Sequence, residues 1–160
     1  MLSVARILVG IDFSEYSREA ARYAIFFAQK LGASMTVVHI CDARAYVGSG
    51  FAPFHLATLR QYVSQQQAIE VSHLEELKTF VEELPHENVS IDYVVCTGAP
   101  AAELIRIAAE QKADLIIVGT HGRTGLTGML IGSTTEKIVR KSKCPVLTIK
   151  LSQQQFVMPG

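Results

Sequence analysis

Five short runs of apolar, largely β-branched residues recur along the chain, at Ile7–Ile11, Met35–Ile40, Ile91–Val95, Leu115–Val118 and Pro145–Ile149, and segments with helical spacing separate them. Three of these runs are nearly all apolar and lack the in-out alternation of a half-solvated sheet, so both faces of the strands must be covered. Strands that alternate with helices and are buried on both sides build a doubly wound sheet. The expected fold is therefore α/β: a single doubly wound domain with a five-stranded parallel sheet and helices on both faces. It is expected to span residues 1–151, followed by a fraying tail at 152–160.

Helix boundaries follow from capping chemistry. Ser14 is placed to cap a first helix that carries Ala20, Ala21, Ala24, Ile25, Ala28 and Leu31 at three- and four-residue spacing, with Gly32 to close it. A second helical region runs from about Leu56 to Leu84, where Leu59, Val63, Leu74, Leu77 and Val81 mark the expected buried stripe and Pro85 blocks continuation. A third begins at Pro100, a favourable first helical position, and turns Ala101, Leu104, Ile105 and Ala108 towards the sheet. The fourth follows Gly132.

Composition removes several functional classes. Fifteen basic residues balance fifteen acidic ones, so no net field draws the chain to nucleic acid or to an anionic membrane. No apolar run reaches the ~18 residues of a spanning helix. The opening Met1-Leu2-Ser3-Val4-Ala5-Arg6 leads into a strand without a basic region and cleavage site, so a cytoplasmic location is expected. Cys41, Cys96 and Cys144 lie in or beside apolar runs and read as inert, reduced packing residues. His39, His55, His73 and His86 show no ligand spacing such as H-x3-H, so no metal site is expected among them.

In a doubly wound sheet, ligands bind beyond the carboxyl ends of strands where the winding reverses. Two segments stand at such ends: Asp12-Phe13-Ser14 after the first strand, and the glycine-rich stretch from Gly119 to Gly132 after the fourth. Five glycines in that stretch let backbone amides approach a ligand closely, which suits phosphate oxygens. The helix that starts at Ser133-Thr134-Thr135-Glu136 would point its N–H groups and positive dipole end at the same place. The Ser133 and Thr134 hydroxyls could donate to phosphate or reach a bound Mg2+. There is no G-x-G-x-x-G after the first strand and no G-x-x-x-x-G-K-[ST] anywhere. Without a P-loop lysine, the charge of a triphosphate would have to be neutralised by amides, the helix end, a metal ion and Arg123. The segment from Asp42 to Pro53, with Gly48, Ser49 and Gly50, is the other long connection, either a binding loop or a plain surface loop.

The pattern Gly119-x2-Gly122-x9-Gly132-Ser133 resembles the ATP-binding motif of the universal stress protein family. Ile7-Leu8-Val9-Gly10-Ile11-Asp12-Phe13-Ser14 is similar to that family's opening strand, and Cys144-Pro145-Val146-Leu147 to its closing one. The likeness covers about Val4 to Lys150 and departs mainly in an insert from Asp42 to Gln67. The resemblance implies strand order 3-2-1-4-5, with Asp12 and Val38 near adenine and ribose and Val118 and Gly119 along the nucleotide's inner face. It also implies that Gly122, Gly132, Ser133 and Thr134 hold the phosphates of ATP, and that two copies form a homodimer through the last strand, Val146 to Ile149.

Plainer readings stand beside these. Ser133 with Glu136 fits a capping box, and Asp12 could simply hydrogen-bond the turn after its strand. His121 stands between motif glycines, but a loop histidine is ordinarily a solvated surface residue. Three functions follow in order of preference. The first is a non-enzymatic, nucleotide-responsive regulatory dimer that signals to a protein partner. The second is a slow ATPase using His121 and Arg123. The third is a docking dimer that no longer uses nucleotide.

Overall fold

The computed structural model describes residues 2–42, 44, 56–122 and 131–151. Alternating elements run β1 (Arg6–Ile11), α1 (Glu15–Leu31), β2 (Ser34–Asp42), α2 (Leu56–Glu82), β3 (Ile91–Gly98), α3 (Pro100–Glu110), β4 (Leu115–Gly119), α4 (Ser133–Lys141) and β5 (Val146–Ile149). All five strands join one sheet in the order β3-β2-β1-β4-β5, and every pairing is parallel. The expected doubly wound α/β sheet with order 3-2-1-4-5 is the observed one. The last strand begins at Val146, one residue later than its apolar run, because proline at 145 has no N–H to give a ladder.

The strand side chains divide between two apolar layers, as period two requires. Ile7, Val9, Ile11, Met35, Val37 and Ile117 face α1 and α2, where they meet Ala20, Ala24, Ile25, Leu77 and Val81. Leu8, Val38, Ile116 and Val118 face the other way, onto Leu104, Ile107, Ala108 and Ile138 of α3 and α4. The small alanines of α1 allow its axis to lie close to the sheet.

Helix α1 is closed at both ends by the residues expected to do so. Ser14 has extended backbone and its hydroxyl accepts from Ser17 N–H at 3.2 Å, while Gly32 adopts φ +64° as the left-handed C-cap. Leu31, expected on the buried stripe, is 51% exposed, because at the residue before Gly32 the chain already leaves the helix for β2. On α3, Ile107 and not Ile105 completes the buried face. Counting from Pro100 at the first turn, Leu104, Ile107 and Ala108 share one side, and Ile105 lies off it, half-buried.

Helix α2 corrects a larger expectation. Its buried stripe is Leu77, Phe80 and Val81, continued by Leu84 beyond the helix end, all in the C-terminal part. Val63 is 50% exposed and Tyr62 and Val71 are also exposed, so among the described residues the buried stripe does not extend back to them. The Leu59 side chain lies outside the described residues, as do the Gly48, Ser49 and Gly50 stretch, His55 and the 152–160 tail. Among the described residues no helix is long and apolar enough to cross a membrane.

Candidate functional site

The winding reverses between β1 and β4, since β2 and β3 follow from one side of β1 and β4 and β5 from the other. At the carboxyl ends of β1, β2 and β4 a cavity of about 430 Å³ opens, closed off by the first turns of α3 and α4. All eight residues singled out from the sequence line it: Asp12, Val38, Val118, Gly119, Gly122, Gly132, Ser133 and Thr134.

Asp12 follows β1 and is held by the turn after it. Its Oδ1 accepts from Ser14 N–H at 3.0 Å and from the Ser14 hydroxyl. Its own N–H donates to Ser17 Oγ at 3.3 Å, and the Ser17 hydroxyl in turn donates to Ser14 C=O at 3.0 Å. The turn reading of Asp12 therefore accounts for one carboxylate oxygen. The other, Oδ2, faces Gly122, where a β-carbon would meet it at 2.8 Å. The turn depends on Phe13, which adopts φ +64°. For a bulky residue this costs about 1–2 kcal/mol. Offsetting that cost, the ring packs against Phe80 at 5.7 Å and His39 at 4.5 Å, centroid to centroid.

The two ends of the glycine-rich segment are tied together. Gly132 N–H donates to Thr120 C=O at 2.7 Å, and the buried Thr135 hydroxyl donates to Gly119 C=O at 2.8 Å. Thr120 N–H donates to Ile149 C=O at 2.9 Å, which anchors the β4 end to β5. Gly119 has no room for a side chain, because a β-carbon there would stand 2.8–3.0 Å from Tyr16 Cβ, C and O. Arg123 and the rest of 123–130 lie outside the described residues.

The capping-box reading of Ser133 is overturned. The N-cap of α4 is Gly132, with extended backbone and no side-chain hydrogen bond to the helix, and Ser133 is already the first helical residue. A hydroxyl one position inside the helix cannot fold back onto the first-turn amides as an N-cap does. Glu136 instead pairs with Arg140 at 3.3 Å. Ser133 and Thr134 are both exposed at the positive end of α4, on the cavity wall.

His121 lines the cavity, with Nδ1 3.1 Å from Thr120 Oγ1 and its ring 5.2 Å from that of Tyr16. It is half-buried, not the solvated loop histidine of the plainer reading. The described lining includes two carboxylates, Asp12 and Asp42, and no lysine or arginine. The Asp42 carboxyl is held below its ordinary range chiefly by hydrogen bonds from the Arg44 side chain at 2.6 and 3.0 Å, so it stays anionic.

Sequence reasoning missed Phe13, Thr120 and Thr135, whose roles are to position others. It also missed that His39 and Cys41 of β2 and His73 of α2 meet at the cavity's far wall. The available signal was His39-x-Cys41 at the end of a buried strand, where period two puts both side chains on one face.

The chain matches the Universal stress protein family over residues 4–150. It is 32% identical over 151 residues to the universal stress protein MJ0531 of Methanocaldococcus jannaschii, covering 94% of this chain and 84% of that protein. The structure of MJ0577 from the same organism is similar with a TM-score of 0.77 at 24% identity, over 94% of this chain and 99% of that one. A universal stress protein in complex with cAMP is similar with a TM-score of 0.63 at 25% identity, over 94% of this chain and 99% of that one. A profile match across nearly the whole chain, with the same parallel sheet beneath it, makes this chain a member of the universal stress protein family.

Proposed function

We propose that this protein binds ATP with Mg2+ in the cavity at the strand ends and works as a nucleotide-responsive homodimer that signals to a protein partner in the stress response. The observation that carries the nucleotide reading is the convergence of three kinds of group on one cavity. These are close-packed glycine backbone at Gly119, Gly122 and Gly132, the N-terminus of α4 with no side-chain cap, and the exposed Ser133 and Thr134 hydroxyls. First-turn N–H groups together with about half a unit of positive charge suit a phosphate. The volume, about 430 Å³, lies within the range of small-molecule sites. The similar protein in complex with cAMP carries a ligand with the same adenine, ribose and phosphate parts.

The donor set fits a metal-bound triphosphate better than a bare one. Asp42 is already matched by Arg44, but the Asp12 carboxylate also stands in the wall and no lysine or arginine is among the described lining residues, so bare phosphates would bring negative charge towards a carboxylate. Ser133, Thr134 and Asp12 are the residues suited to hold a hard, oxygen-seeking ion of this kind. The protein is proposed to turn over ATP slowly at most. Rapid hydrolysis needs a group that orients the attacking water, and His121 is already engaged with Thr120 and packed against Tyr16.

Calorimetric titration with ATP and Mg2+ tests the reading. Wild type should bind saturably, Gly122→Val should not, and Ser133→Ala should bind about tenfold more weakly, the worth of roughly one hydrogen bond. Absence of binding in wild type stripped of carried nucleotide would sink the ATP reading and favour the docking dimer.

A further inference from the structure

We propose that His39, Cys41 and His73 form a zinc(II) site with three protein ligands and an open fourth position on the cavity. One donor atom from each residue lies within 4.8 Å of the others. Imidazole nitrogen and thiolate sulfur are the donors zinc prefers, at about 2.0 and 2.3 Å, so ligand atoms in a tetrahedral site stand roughly 3.3–3.8 Å apart. A contraction of about one ångström closes the trio onto an ion, and Cys41 Sγ already stands 3.1 Å from His73 Nδ1.

Three features distinguish this cluster from polar residues that merely happen to be neighbours. The first is how the imidazoles are held. His39 Nδ1 lies 2.8 Å from Ile11 C=O, which can only accept, so the proton sits on Nδ1 and the lone pair on Nε2. A histidine oriented from its far nitrogen by a backbone carbonyl is the usual outer support of a metal ligand. His73 has the complementary arrangement. With Nδ1 turned to Cys41, its Nε2 lies 4.0 Å from the Glu76 carboxylate one helical turn on, beyond hydrogen-bonding distance but near enough for a side-chain rotation to complete the carboxylate–histidine pair that supports zinc ligands.

The second feature is burial. Cys41 is 2% and His39 5% exposed, and the His73 side chain 20%. Donors already removed from water lose little further hydration when they take up an ion. The third is access, since all three residues line the cavity and an ion could enter from it and keep a water as fourth ligand.

Binding exchanges one proton for the ion. The thiol proton shared between Cys41 Sγ and His73 Nδ1 leaves to solvent, the thiolate and the freed Nδ1 lone pair bind zinc, and His39 Nε2 adds its lone pair. Zinc changes no oxidation state here, so no oxidant or reductant is required. Sequence spacing could not show the site, because two ligands lie two apart on a strand and the third comes from a helix 32 residues later.

The test uses the full chain, stripped with chelator and kept reduced, and titrated with zinc against a chromophoric competitor. Wild type should take up one zinc per chain. Cys41→Ser and His73→Gln should each weaken uptake at least about a hundredfold and Glu76→Gln about tenfold, whereas Cys144→Ser should match wild type. Cobalt(II) added to wild type should produce a thiolate-to-cobalt charge-transfer band and the intense visible bands of four-coordinate cobalt, a readout that needs no variant to fold. Failure of wild type to compete for zinc, a cobalt spectrum without the thiolate band, or undiminished binding by Cys41→Ser would each overturn the assignment.

Discussion

Asp12 Oδ2 and Gly122 are in such close register that a β-carbon on the glycine would stand 2.8 Å from the carboxylate oxygen. A side chain at this position fits only if the carboxylate moves aside, and the other oxygen of that carboxylate is held by Ser14. Gly122→Ala should push the carboxylate out of place and weaken ATP–Mg2+ binding by about tenfold, or 1.4 kcal/mol. In an Asp12→Ala background the same substitution should cost clearly less, because the clashing oxygen is gone. A double-mutant cycle read by calorimetry measures the difference, and full additivity would show that the two positions act independently.

The sheet was legible because Ile7–Ile11 and Leu115–Val118 are apolar at every side chain but that of a glycine, which only strands covered on both faces can be. The cavity lining was legible chiefly through the family resemblance carried by Gly119, Gly122, Gly132 and Ser133, which implied Asp12, Val38, Val118 and Thr134 as well, and all of these line the cavity. What could not be read depends on distance in space. Val63 has the spacing of a buried residue, yet it is 50% exposed, and the core contacts of α2 are made by Leu77, Phe80 and Val81. Ser133 has the composition of a cap, yet Gly132 carries out that role with backbone alone. His73 comes to Cys41 only through the packing of α2 on β2, and no local spacing encodes that.

Gly119 joins the cavity to the fold's stability. Its missing β-carbon leaves the space taken by Tyr16 Cβ, C and O, all within 2.8–3.0 Å of where it would stand. Two of those atoms are backbone in the first turn of α1, so no side-chain rotation relieves the contact. Gly119→Ala should destabilise the protein by about 1–3 kcal/mol, as overpacking does. Chemical denaturation should show a lower midpoint with an unchanged slope, and a midpoint equal to wild type would mean that α1 shifts without penalty.

Asp114 contributes a pH dependence of definite sign. Its Oδ2 accepts from Ala5 N–H and Arg6 N–H, each at 2.9 Å, and these bonds hold the carboxyl below its ordinary range. A carboxyl whose folded pKa is depressed adds stability that is fully present above its unfolded value and is lost as pH falls through the folded one. Thermal melts of wild type should therefore decline on the acid side of about pH 4, and Asp114→Asn should flatten that limb while lowering stability near neutrality. Parallel curves for the two proteins would show that other carboxylates govern the acid limb.

The edge of β5 is the surface on which the proposed dimer depends. β5 pairs only with β4 in the described sheet. Pro145 C=O and Ile149 C=O accept from Ile116 and Thr120 N–H, so the odd-numbered residues turn their backbone groups inward and Val146 and Thr148 turn theirs outward. An apolar edge with outward N–H and C=O groups is a template for a second copy. Thr148→Pro removes one outward donor and no ladder bond to β4, and proline is tolerated on an edge strand in that orientation. Light scattering should find wild type as a dimer and Thr148→Pro as a monomer at the same concentration. Its far-UV circular dichroism should be unchanged, since the sheet within each chain keeps all its bonds. A Thr148→Pro protein that remains dimeric would move the interface away from this edge.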